Sequence, residues 1–217
     1  ITILQKIKSK TPDLTGVPVG RASTMPKAAD IIYSLLQISG VSELVISGTS
    51  IRDGLIAEQI SLRANAEDPL LIACSEIAAN TLRFSDLGDW LIDFMLPCLT
   101  IAPRFMGNLN SKRLIKAACL LCDLCWDEDP SMRGILIADK INAFPVHSLS
   151  HPERLWLSEA LFHRYNGIKL NKRPPVCSDN ILNEAQQNYA RFIGLGLRFG
   201  LIFSAGISAN LERLSLS

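Results

Sequence analysis

Hydrophobic positions fall into two regimes along this chain. In residues 1–62 an apolar helix, a short β-branched run and a second helix follow one another. Pro26 stands where a helix can begin, because its missing N–H is not needed in the first turn. Ala28, Ala29, Ile31, Ile32, Leu35, Leu36 and Ile38 follow at helical spacing, and Gly40 suits a C-cap. Glu43-Leu44-Val45-Ile46-Ser47 reads as a buried strand, with Gly48-Thr49-Ser50 as the turn after it. Ile51-Arg52-Asp53-Gly54 then leads into Leu55-Ile56-Ala57. Helix, strand and helix form part of an α/β layer, and one strand cannot make a sheet. The remaining strands are expected in residues outside this sequence or in a partner.

From Arg63 onward the periodicity is helical almost throughout. Asp68-Pro69 opens a helix through Leu71, Cys74, Ile77, Ala78 and Leu82, and Asp86 or Asp89 caps the next, through Trp90, Leu91, Phe94 and Leu96. Ser111 is the expected cap of an apolar helix from Leu114 to Leu124. Three more are expected over Met132–Ile141, Pro152–Tyr165 and Asn180 to about Leu214, the last interrupted at its glycines. The expected fold class is mainly α: an all-helical domain over 63–217, preceded by a short, incomplete α/β segment over 1–62.

Composition narrows this picture. Among 217 residues, 48% are hydrophobic, and 22 Lys and Arg face 21 Asp and Glu, a formal charge of +1. That is too apolar and too weakly charged for a disordered chain, and it leaves no global field for a basic nucleic-acid binder. The chain opens on Ile1 without a leader, so a piece of a longer protein is expected. Six cysteines without a secretory signal suit reduced thiols in a cytoplasmic protein. The longest apolar stretch, residues 192–208, contains Arg198 and four glycines, and falls short of the roughly 20 apolar residues that span a bilayer.

Several constellations could carry chemistry. Cys119, Cys122 and Cys125 are spaced by three, but no second doublet completes a zinc site, so small core residues are the favoured reading. Asp123, Asp127, Glu128 and Asp129 could hold a hard cation, but the favoured reading is a solvated loop that also caps the helix near Pro130. His147 and His151 are four apart, yet Pro152 places His151 at a helix entrance, and His163 sits near a helix end where a cation suits the dipole. Gly194, Gly196 and Gly200 lack a preceding strand and read as helix packing. Arg21 and Arg52 flank the α/β elements in turns, where an arginine fork and backbone N–H groups can build an anion site. The alternative is that Arg52 only ties its loop together.

These residues resemble a known family. Gly20-Arg21-Ala22, Met25-Pro26-Lys27-Ala28-Ala29, Leu44-Val45-Ile46-Ser47 and Ile51-Arg52-Asp53-Gly54-Leu55 resemble the end of the second actin-like (ribonuclease H-like) domain of exopolyphosphatase / guanosine pentaphosphate phosphohydrolase proteins. A Leu-Arg-Glu-Gly-type turn closes that domain in the family. Ala117 to Trp126, Pro130, Arg133-Gly134, His151 to Leu157 and Ala160 to Tyr165 are similar to the helical domain that follows, which is related to HD phosphohydrolases. Where a metal-bearing HD domain has His-Asp, this chain has Cys122-Asp123, so the helical domain resembles a degenerate HD scaffold.

The resemblance implies a parent enzyme that releases terminal phosphate from inorganic polyphosphate, or the 5′-γ-phosphate of guanosine pentaphosphate. Its catalytic loops and its Mg2+ belong to an N-terminal part outside these residues. It implies Arg21, Arg52, Lys112, Arg113 and Lys116 as phosphate-binding candidates, with no catalytic residue and no metal ligand in this segment. The partners implied are the polyphosphate or alarmone substrate, the N-terminal domains of the same protein and a second copy in a homodimer; nucleic acid and membrane are not expected. The segment alone is expected to be inactive. The other class of function open to it is a non-enzymatic helical interaction or regulatory module.

Overall fold

The computed structural model describes residues 18–41, 50–59, 68–81, 83, 86–144, 146, 148–167, 181–207 and 210. The expected strand Glu43–Ser47, together with Gly48, Thr49, Leu82, His147, Cys177, Asn180 and Leu214, lies outside them. All regular elements among the described residues are helices, and none is long and apolar enough to cross a membrane. The chain divides into two compact units, Ile1–Ser47 and Gly48–Ser217.

In the first unit, α1 (Val19–Ala22) leads into α2 (Met25–Ser39). Pro26 lies in the first turn of α2, and Gly40 closes it in the left-handed region at φ 63°, as the sequence predicts. Arg21, expected in a turn, belongs to the last turn of α1, where Thr24 Oγ1 donates to its carbonyl at 2.9 Å.

The second unit starts with α3 (Ile51–Gln59). Ile51-Arg52-Asp53-Gly54 is the first turn of this helix and not a lead-in, because the Ser50 N–H and hydroxyl donate to Asp53 Oδ2 at 2.6 and 2.8 Å and set the helix start ahead of it. Next come α4 (Pro69–Thr81), α5 (Leu87–Phe94), α6 (Leu96–Ile101) and α7 (Pro103–Met106). The last two were not anticipated. Pro97 and Pro103 each sit in a first turn, where a ring without an N–H starts a helix but cannot continue the preceding one.

Helix α8 (Ser111–Leu120) is capped by Asn110, whose side chain accepts from Arg113 N, and not by Ser111. It stops at Leu120, ahead of the predicted Leu124, and the chain turns through Cys125 at φ 74°. Helices α9 (Arg133–Asn142), α10 (His151–Asn166) and α11 (Glu184–Ser204) complete the unit.

Helix α10 is the axis of the core, packed along α9 and α11 and touching α8, and residues Leu155 to His163 are all buried. A buried helix needs its polar groups matched. Ser150 and Glu153 form a capping box at its start. Arg113 reaches into the same corner, donating from Nε to Asp68 at 2.6 Å, from Nη1 to Glu153 at 3.1 Å and from Nη2 to Ser148 O at 2.6 Å. One guanidinium thus joins the start of α4, the middle of the fold and the cap of α10. Arg154 donates to the carbonyls of Ile141, Phe144 and Val146, satisfying the end of α9.

Helix α11 runs unbroken through its glycines. A Cβ on Gly194 would lie 2.2 Å from Ala160 O, so this glycine lets α11 press against the backbone of α10. Small-residue packing is therefore what the glycine spacing encodes.

Candidate functional site

Asp123 follows α8 in the turn that the early stop creates, and it is only 1% exposed. A buried carboxylate requires charge partners, and two arginines supply them. Arg83 forks onto it, from Nε at 2.8 Å and Nη2 at 2.7 Å, and Arg164 Nη2 reaches Oδ1 at 2.8 Å. The acidic run is therefore not a uniform solvated loop: its first member is an interior anchor. Asp129 does not cap the helix that follows, whose N-cap Met132 makes no side-chain cap bond; it closes a local turn, accepting from Ser131 N and Oγ at 2.8 and 2.5 Å.

Above this anchor lies a cleft of about 530 Å³. Arg83, Arg133, Arg164 and Arg198 line it, together with Tyr165. Each arginine is held by one of its edges. Arg133 Nε donates to Glu128 O at 2.9 Å, and no hydrogen bond from its two Nη groups to a described residue is present. Arg198 Nη1 donates to Tyr165 O at 2.6 Å and Arg164 O at 3.3 Å, which ties α11 to the last carbonyls of α10. The Arg164 guanidinium lies 3.7 Å from the centre of the Tyr165 ring, and its Nε is buried without a partner. The Tyr165 hydroxyl donates to Leu124 O at 2.7 Å, fixing the ring.

Four guanidiniums line this one concavity, and the buried Asp123 carboxylate pairs with two of them, Arg83 and Arg164. This arrangement can hold an anion with several acceptor oxygens, since the guanidinium fork matches phosphate geometry. Among the described residues that line the cleft there is no carboxylate, histidine, cysteine or serine.

The sequence-derived candidates lie elsewhere. Arg21 and Arg52 are exposed, on α1 and on the first turn of α3, in different units. Lys112, Arg113 and Lys116 do not form one basic patch: Lys112 is exposed and Lys116 half-buried, while Arg113 points inward and spends its donors on Asp68, Glu153 and Ser148. The residues that do converge went unassigned because 83, 133, 164 and 198 are far apart in sequence. One signal was available. Arg198 is the lone charge in the apolar stretch 192–208, and a charge in that position needs a built environment.

The remaining titratable groups are interior. Burial pushes the Cys74 and Cys122 thiols up to about 12 and raises that of Cys119 as well, so these sulfurs stay protonated. His163 is buried, its Nδ1 3.4 Å from Gly167 O, and burial lowers its pKa. It is a neutral core residue, not the cation at a helix end that its position suggested. His151 begins α10 and is exposed.

The magnesium that the family resemblance implies does not fit here. Cys122 holds its proton, and both oxygens of Asp123 are engaged by arginines. No group of three or more His, Cys, Asp or Glu gathers among the described residues.

No curated protein matches the chain. The family profile described as "Exopolyphosphatase, C-terminal" does, over residues 70–217, which takes in every arginine of the cleft. The chain belongs to the exopolyphosphatase C-terminal domain family.

Proposed function

We propose that the chain is the non-catalytic helical part of a phosphoanhydride hydrolase, and that its arginine cleft holds the phosphate chain of the substrate. The parent reaction on this reading releases terminal phosphate from inorganic polyphosphate, or the 5′-γ-phosphate of guanosine pentaphosphate. Residues 1–62 close the second actin-like domain, and 63–217 form a degenerate HD-like domain. Water attack, its base and Mg2+ belong to N-terminal domains of the same cytoplasmic protein. A single observation carries the reading: four arginines converge on one cleft with one carboxylate beneath them, inside a domain of this family.

The test uses the purified 217-residue chain. Calorimetric titration with inorganic tripolyphosphate should show binding, weakened about tenfold by Arg133→Gln, because one charge-assisted contact is removed. The same protein should release no phosphate from long-chain polyphosphate with Mg2+. Absence of tripolyphosphate binding, or Mg-dependent turnover by the chain alone, would overturn the proposal.

A second reading, a helical interaction or regulatory module that docks on a partner or a second copy, has one observation in its favour. Phe192, Phe199 and Phe203 stand half-exposed along α11, and Phe199 stacks with Phe94. Concentration-dependent mass in sedimentation without any phosphate affinity would favour it.

A further inference from the structure

Helix α11 packs one side onto α10 and turns an apolar side to solvent. Phe192, Phe199 and Phe203 are half-exposed and Ile202 is 68% exposed, and their spacing puts all four on one helix face. Half-buried Leu195 lies among them. Single exposed apolar residues are ordinary, but a contiguous row of this kind marks an interaction surface. The rings are anchored in the fold: Phe199 stacks on Phe94 at 6.3 Å and lies 5.8 Å from Phe203, and Phe192 stacks on Tyr189 at 5.9 Å.

One edge of this face is cationic. Arg191 and Arg198 lie seven residues apart along it, and Arg198 opens into the cleft with Arg83, Arg133 and Arg164, which Ile202 also lines. Arg133 and Arg198 donate only to backbone carbonyls among the described residues, so neither charge is neutralised by a carboxylate there. No Asp or Glu stands between Glu184 and Glu212. A second copy packed antiparallel on this face would set arginine edge against arginine edge with no acid to pair them. Residues 192–203 carry no polar side chain except Arg198, whereas a protein interface is rimmed by hydrogen-bonding groups. An anionic lipid surface needs no such rim and complements the charge. A helix lying in the plane of a bilayer requires one apolar face with a basic border, not a spanning length.

We propose that α11 docks the protein on a membrane rich in anionic lipid. Phe192, Phe199, Ile202 and Phe203 enter the headgroup boundary, and the arginines of the cleft meet the lipid phosphates. Headgroups and a free phosphate chain then compete for the same arginines, which makes the membrane a regulator of the site. The competition rests on the phosphate-binding reading above; the docking does not.

The test is cosedimentation of the full 217-residue chain with vesicles of phosphatidylcholine, alone or mixed with phosphatidylglycerol, at constant ionic strength. Mixed vesicles should bind at least about tenfold more tightly, as expected for several arginines at an anionic surface. Phe192→Gln combined with Phe203→Gln, neither of which lines the cleft, should weaken vesicle binding about tenfold while tripolyphosphate affinity and melting temperature stay unchanged. Arg133→Gln should weaken both ligands, and tripolyphosphate should displace the chain from mixed vesicles. In Phe203→Trp, brominated lipid should quench fluorescence beyond the quenching of the parent's own tryptophans.

No binding to mixed vesicles would overturn the inference; if tripolyphosphate still bound, the phosphate-binding reading would stand. Vesicle binding without tripolyphosphate affinity would do the reverse. Equal binding to neutral vesicles, or no added quenching in Phe203→Trp, would overturn the docking even where the glutamine variant is unstable. Vesicle binding that tripolyphosphate leaves intact would place the headgroups away from the cleft and overturn the shared use of its arginines. A dimer that the glutamine variant dissociates, with no vesicle binding, would assign the face to a second copy and overturn the inference too.

Discussion

Asp123 sets the charge of the cleft by what it removes from it. Its two oxygens neutralise part of Arg83 and Arg164 and hold both side chains in place. Replacing it by Asn keeps the shape and deletes the charge, leaving Arg164, only 12% exposed, without a counter-ion. Breaking a buried pair from one side costs about 3 kcal/mol, so Asp123→Asn should lower the urea midpoint accordingly. On the binding reading, millimolar tripolyphosphate should restore part of the loss, because an anion now supplies the missing negative charge.

His163 gives the pH dependence at this scale. Burial lowers its folded-state pKa below the usual value near 6.5, so the unfolded chain binds the proton more readily. The stabilisation is complete above about pH 6.5 and is lost as pH falls through the folded-state value. Melting temperature should therefore drop between pH 7 and pH 5.5, and less steeply in His163→Gln. Equal slopes in the two proteins would remove His163 as the cause.

At the scale of elements, the α10–α11 pair depends on one close approach. Gly194→Ala would set a methyl 2.2 Å from a backbone oxygen of α10, and two backbones cannot yield without separating. Overpacking of this kind costs about 2 kcal/mol or more, beyond the ~1 kcal/mol that alanine gains in helix propensity. Gly196→Ala meets only the end of Met95, at 2.9 Å, which can swing aside. That variant should stay within about 1 kcal/mol of the parent. Chemical denaturation of the two side by side is the check, and equal losses would show that α11 is not held by Gly194.

Helix placement was legible at this scale because each signal is local. Pro26 with Gly40, Asp68 with Pro69, and the period of the apolar residues in α8 to α11 act within one or two turns. The misreadings share a cause. Asn110 displaced Ser111 as a cap, Asp53 drew the start of α3 forward, and two prolines opened the unanticipated helices α6 and α7. In each case two or three adjacent residues compete for the same backbone groups, and the geometry, not the residue type, decides which wins.

For the molecule as a whole, the binding reading puts function and stability of the second unit at separate ends of one helix. The start of α10 is fastened by Glu153 and Arg113, and its end carries Arg164 and Tyr165 into the cleft. The near-neutral charge of the chain fits this division: a formal +1 spread over 217 residues leaves any positive field to local convergence. Sequence by itself determined the mainly helical class, the glycine-mediated packing of α11 and the family resemblance, because propensity, period and motif are carried by residues near one another in the chain. It could not determine which arginines meet in one cleft. Arg113 looked like part of a basic patch and is a clamp of the core, while Arg83, Arg133, Arg164 and Arg198, never adjacent in sequence, line one cleft. A charge becomes structural or functional according to what surrounds it, and only the packing of α8, α10 and α11 supplies those surroundings.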